Sequence, residues 1–127
     1  MSSEPVPPSV FVIRLEGAFD SSERTRLTDA FGVPTSVPVV VVDFERVGYV
    51  DSTVLNCLIV LERATRERNA RLILVGLSPT VERIFAVCKL DEHFDIRRSL
   101  NDLGPVEPAQ MRRLTLVAQS GSDNDPS

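Results

Sequence analysis

The sequence is poor in the side chains that carry most protein chemistry: it has two cysteines, one histidine and no tryptophan in 127 residues. Cys57 and Cys88 are too few and too far apart to build a metal cluster. A zinc site around the single histidine, His93, would need carboxylates to complete it. No metal and no other cofactor is therefore expected. Both cysteines sit inside apolar helical patterns, where a free thiol packs as a small hydrophobe. Lysine is almost absent, since Lys89 stands alone among 14 basic residues. The net charge is −4 and the arginines are scattered. A nucleic-acid binder concentrates a basic face, so no direct nucleic-acid contact is expected. Nothing approaches the roughly 20 apolar residues of a spanning helix, so no membrane insertion is expected either. Met1 to Ser9 is polar and Pro-rich, without the basic and apolar stretches of a secretory signal. The expected location is the cytoplasm.

Hydrophobic residues make up 43% of the chain and charged residues 25%, the balance of one domain able to bury a core. Val10 to Leu15 (VFVIRL) reads as a strand that Gly17 ends. Asp20 and Glu23 open a helix in the manner of a capping box, with Leu27, Ala30 and Phe31 at helical spacing. Gly32 and Pro34 stop it. The β-branched run Val37 to Val42 has no solvent face and suits a central strand of a parallel sheet. A loop, FERVGYV, is expected next, and then a helix from about Ser52 to Arg68 that is apolar nearly all round in its first half. Burial against a sheet or docking of a partner would each account for that half.

Arg71 to Val75 reads as another strand. Ser78-Pro79 opens a helix as N-cap and first residue, with Val81, Ile84, Phe85 and Cys88 on one face. Phe94 to Arg97 suits an edge strand. The alternation predicts an α/β domain: a mostly parallel (mixed) sheet of four to five strands with helices packed on it. Its expected limits are residues 9–103. Residues 1–8 are expected to be flexible, and residues 119–127 (QSGSDNDPS) disordered. Residues 104–118 form a C-terminal extension in which Met111, Leu114 and Val117 would line a short helix.

Only Asp51-Ser52-Thr53-Val54-Leu55 suggests chemistry. Hydroxyls at a helix start have an ordinary use as caps for amides that lack partners. The same unpaired amides, with the positive end of the helix dipole, favour an added phosphate. On Ser52 it would bring about −1.5 to −2 charges beside Asp51.

Three stretches in order resemble the STAS family of anti-sigma-factor antagonists and sulfate-transporter tails. They are Arg14 to Asp20 (RLEGAFD), Val39 to Leu58 (VVVVDFERVGYVDSTVLNCL) and Leu74 to Leu90 (LVGLSPTVERIFAVCKL). The second is similar to the family's valine-rich strand and D-S-[ST]-G-L phosphorylation motif. The resemblance implies a STAS fold and a function as anti-sigma-factor antagonist. Unphosphorylated, such a protein sequesters an anti-sigma factor that is itself a serine kinase, and so frees a sigma factor. Phosphorylation ends that binding, and a serine phosphatase restores it.

By this resemblance Ser52 is the phosphate acceptor, with Thr53 as a minor alternative. Asp20, Asp51, Ser52, Thr53, Val54 and Asn56 would meet the partner. Val54 and Asn56 stand where the family motif usually has glycine, which sets a β-branched side chain beside the acceptor. A second reading is a STAS subunit that binds and regulates the ATPase of an ABC-type lipid transporter, with the Ser-Thr pair as a docking contact. No enzyme is expected. Ser52 and His93 have no spacing that pairs them, and no G-x-S-x-G elbow or phosphate-binding Gly-rich loop occurs.

Overall fold

The computed structural model describes residues 9–32, 36–103 and 111–118. The segments expected to be flexible (1–8) and disordered (119–127) lie outside these residues. The chain runs β1 (Val10–Phe19), a 3-10 turn (Ser21–Glu23), α1 (Arg24–Phe31), β2 (Val39–Val50), α2 (Ser52–Glu67) and β3 (Arg71–Val75). It continues with α3 (Pro79–Val87), β4 (Asp95–Arg97), a second 3-10 turn (Leu100–Leu103) and β5 (Met111–Val117). The five strands form one sheet in the order β4-β3-β2-β1-β5, and every pairing among the described residues is parallel.

Alternation along the strands divides the core into two layers. Phe11, Ile13, Leu15, Val40, Val42, Phe44, Leu72 and Leu74 face the helices, where Leu27, Leu58 and Phe85 meet them. Val10, Val12, Val41, Ile73 and Val75 form the opposite layer, with Leu100 and Leu103 of the second 3-10 turn packed on it. Burial of both faces explains the unbroken valines of β2, since each fully buried side chain contributes about 1.5–3 kcal/mol.

Three expectations need correction. β1 does not end at Gly17 but passes through it to Phe19. Gly17 sits at φ 110°, where a side chain is strained, and a Cβ there would come within 2.9 Å of the Ala118 Cβ. FERVGYV is not a loop but the second half of β2. The β1–β2 register shifts twice, between Arg14 and Glu16 and between Gly17 and Ala18, so β2 bulges and its buried residues Phe44, Val47 and Val50 lose the two-residue period.

The third correction concerns Met111 to Val117, which form a strand and not a helix. Leu114 and Leu116 turn to the helix side, while Thr115 between them and Val117 beyond them are exposed. The segment pairs with β1 from Val10↔Met111 to Glu16↔Val117. What read as an extension is the edge strand of the sheet.

Candidate functional site

Strands β1 and β2 end side by side, with Phe19 opposite Val50, so the residues that follow, Asp20 and Asp51, leave the sheet as neighbours. The C-terminal edge of a parallel sheet is where α/β folds gather their functional groups. Each aspartate is extended and serves as an N-cap. Asp51 Oδ1 accepts from Thr53 N at 2.9 Å and from Val54 N at 3.4 Å. Asp20 Oδ1 accepts from Ser22 N at 2.9 Å and from the Ser22 hydroxyl at 2.6 Å.

The aspartate, and not the hydroxyls, therefore caps α2. Ser52 is the first residue of the helix and is exposed, and its hydroxyl makes no hydrogen bond among the described residues. Thr53 and Val54 each turn about 100° further round the helix, into the core, where Thr53 is 8% exposed and Val54 0%. Both side chains are buried, so they present little of themselves on the surface that displays Ser52. The β-branched side chain of Val54 also points away from the surface that displays Ser52. Asn56, one turn beyond Ser52, is exposed.

Capping also changes the electrostatics expected of a phosphate. The amides of Thr53 and Val54 already bond to Asp51, so they do not stand open to receive an anion. A phosphoryl group on Ser52 would sit beside the Asp51 carboxylate and be pushed outward by like charge. The site suits a displayed charge better than a cradled one.

The turn after β1 is anchored differently. Glu23 is 2% exposed, and Arg26 Nη1 meets its carboxylate at 2.7 Å while also donating to the Val117 carbonyl at 2.8 Å. A buried carboxylate thus joins the start of α1 to the end of β5. Between α1 and α2 lies an open groove of about 460 Å³, lined by Arg24, Thr28 and Phe31 on one side and Asn56, Cys57, Val60 and Leu61 on the other. Val60 is 67% exposed, so the apolar half of α2 is not wholly buried. Sequence reasoning missed the α1 side of this groove, because exposed residues such as Arg24 and Thr28 leave no periodic signature.

The remaining candidates lie elsewhere. His93 Nε2 approaches Glu62 Oε1 at 3.3 Å, and its ring meets Phe94 edge-on at 5.0 Å; neither residue belongs to the Ser52 surface. A hydrogen bond from Arg66 holds the Glu62 carboxyl below its ordinary range, against a smaller opposing effect of burial. Arg97 does the same for Asp95. Cys57 is half-buried, and Cys88 is exposed at the end of α3, not packed in the core. No group of three or more metal-ligating side chains occurs among the described residues, and no helix among them is long and apolar enough to cross a membrane.

The STAS domain family model matches residues 3–103. The chain belongs to the STAS family. A STAS-domain-containing protein of Pseudomonas aeruginosa (strain UCBPP-PA14) is 31% identical over 85 residues, 66% of this chain and 84% of that protein. Among solved structures, the anti-sigma-factor antagonist SpoIIAA in its unphosphorylated form aligns with a TM-score of 0.61. It is 21% identical and covers 79% of this chain and 89% of its own. A sulfate transporter family protein from Wolinella succinogenes aligns at 0.65 and 20% identity, over 80% of this STAS chain and 87% of its own. At such identities the likeness is one of fold. Strand β5 of this STAS protein falls beyond the part that the family model matches.

Proposed function

We propose that this STAS domain is a phosphorylation-switched anti-sigma-factor antagonist of the cytoplasm, with Ser52 as the acceptor. One observation carries the reading: Ser52 is displayed at the first position of α2 with its hydroxyl unengaged, because Asp51 does the capping. Unphosphorylated, the Ser52 surface binds an anti-sigma factor that is a serine kinase. The kinase transfers phosphate to Ser52, the added charge beside Asp51 breaks the contact, and a serine phosphatase restores it. The protein is then a substrate and a binding partner and performs no catalysis itself. Thr53 is a poor acceptor on this reading, because a kinase cannot reach a hydroxyl turned into the core.

Peptide mapping of the protein from resting and stressed cells tests the assignment. The expected result is a phosphate on Ser52 whose occupancy changes with condition, and none on Ser21 or Ser22. Ser52→Ala should keep partner binding, while Ser52→Asp should weaken it at least about tenfold, or ~1.4 kcal/mol. Equal affinity of the two variants would sink the switch. The exposed apolar Val60 of α2 is compatible with a second reading, a constitutive subunit docked on the ATPase of an ABC-type lipid transporter. Absence of phosphate in every condition, with co-purification of such an ATPase, would establish it.

A further inference from the structure

The exposed stripe of α2 does not stop at Ser52. At 100° per residue, Ser52, Asn56, Val60 and Arg63 fall within one quarter of the helix circumference, and all four are exposed. Beside them runs the groove between α1 and α2, whose floor is Phe31, Cys57 and Leu61 and whose far wall is Arg24 and Thr28. Val60 on its near lip is the most exposed large apolar residue of α2. Arg24 and Arg63 are exposed and make no ion pair or hydrogen bond among the described residues, in contrast to Arg26, Arg66, Arg71 and Arg97, which all do. The groove is thus apolar along its floor with the Arg24 cation on its wall, whereas Arg63 lies outside the lining, on the exposed stripe of α2 that Glu67 shares.

We propose that this groove receives an amphipathic helix of the protein partner, with its apolar ridge on Val60, Leu61 and Phe31 and an acidic side chain facing Arg24. An α-helix lying between two helices presents side chains at i, i+3, i+4 and i+7, the spacing that a long apolar trough accepts. The acidic character has a second source, which rests on the phosphorylation reading: a phosphate on Ser52 repels such a helix from one turn away. Attraction by Arg24 and repulsion by the phosphate then act on the same partner charges. A basic partner helix would be repelled by Arg24 and drawn to the phosphate, which inverts the switch.

Photo-crosslinking in cells, with p-benzoylphenylalanine placed separately at positions 52, 60 and 87, tests the proposal. Val87 lies on α3 outside the groove and is the control. Positions 52 and 60 should capture the same protein, position 87 should not, and the peptide joined to position 60 should come from a helix with an apolar ridge and acidic flanks. A synthetic peptide of that sequence should bind the full chain, and should lose about tenfold in affinity to the Arg24→Glu variant and again at high salt. Capture at 52 but not at 60 overturns the groove and leaves the switch intact. Capture at 60 with Ser52 never phosphorylated keeps the groove and removes the switch. Capture of a second copy of this chain, of a basic helix, or of nothing at 60 overturns the proposal.

Discussion

At the ends of β1 and β2 the chain repeats a short pattern: a buried apolar residue closes the strand, an extended aspartate caps the turn, and two hydroxyl residues follow. One copy is Phe19-Asp20-Ser21-Ser22, the other Val50-Asp51-Ser52-Thr53. The outcomes differ. After Asp20 the chain makes a 3-10 turn and then the eight-residue α1, whereas after Asp51 it enters the sixteen-residue α2 directly. The residue that follows each copy accounts for the contrast. Val54 is fully buried and seats the first turn of α2 in the core, while Glu23 buries a carboxylate that needs Arg26 to accompany it. Display of a serine hydroxyl therefore depends less on the local D-S motif than on what the next turn packs against. The Ser22 hydroxyl is held by Asp20, whereas that of Ser52 makes no hydrogen bond among the described residues.

Breaking the Glu23–Arg26 pair should have the largest effect. Arg26→Met keeps the aliphatic stem but leaves a buried carboxylate without its cation, at a cost of about 2 kcal/mol. Glu23→Gln in the same chain should return part of that loss, and urea unfolding of both variants measures it. If Arg26→Met is neutral, the turn after β1 is not held in the way described.

The two caps come next. Asp51→Ala and Asp20→Ala should each cost about 1 kcal/mol, with Asp51 the costlier because it accepts from two amides of a longer, more buried helix. The reverse order in the same unfolding assay would mean that the first turn of α2 is seated by Val54 alone.

The smallest effect is expected far from both turns and serves as a control. Glu62 has a folded pKa below its ordinary value of 4.5, so its contribution is present above that pH and is lost as pH falls through the lower folded value. Glu62→Gln should therefore narrow its stability gap to the parent below about pH 4.5, by an amount that exposure of Arg66 keeps small. A gap that widens on acidification would reverse the assigned sign.

Much of this was legible where local signals agree. The residues of β3, the start of α2 at Ser52 and the Ser78-Pro79 opening of α3 follow directly from periodicity and cap chemistry. The second half of β2 was not legible, because two bulges erase the alternation that identifies a strand. Strand β5 was missed for another reason: Met111, Leu114 and Val117 fit a helical face, and only pairing with the distant β1 makes the segment a strand. Its Leu-Thr-Leu-Val alternation was the available signal. At the candidate site, the family motif identified Ser52, but only coordinates separate it from Thr53 and Val54, since one residue of helical rotation takes a side chain from solvent to core.

The placement of β5 also bears on how the molecule is made. Its register partners on β1 lie about a hundred positions earlier in the chain. During synthesis at about 5–20 residues per second, β1 emerges before the other strands of the sheet and waits for its outer neighbour until they have been translated. For those seconds the nascent domain carries a bare, largely apolar strand edge, the kind that recruits other chains. Closing it joins the longest loop in the fold, a slow event by the usual dependence of rate on contact separation. Chaperone demand should therefore concentrate in the last step of folding.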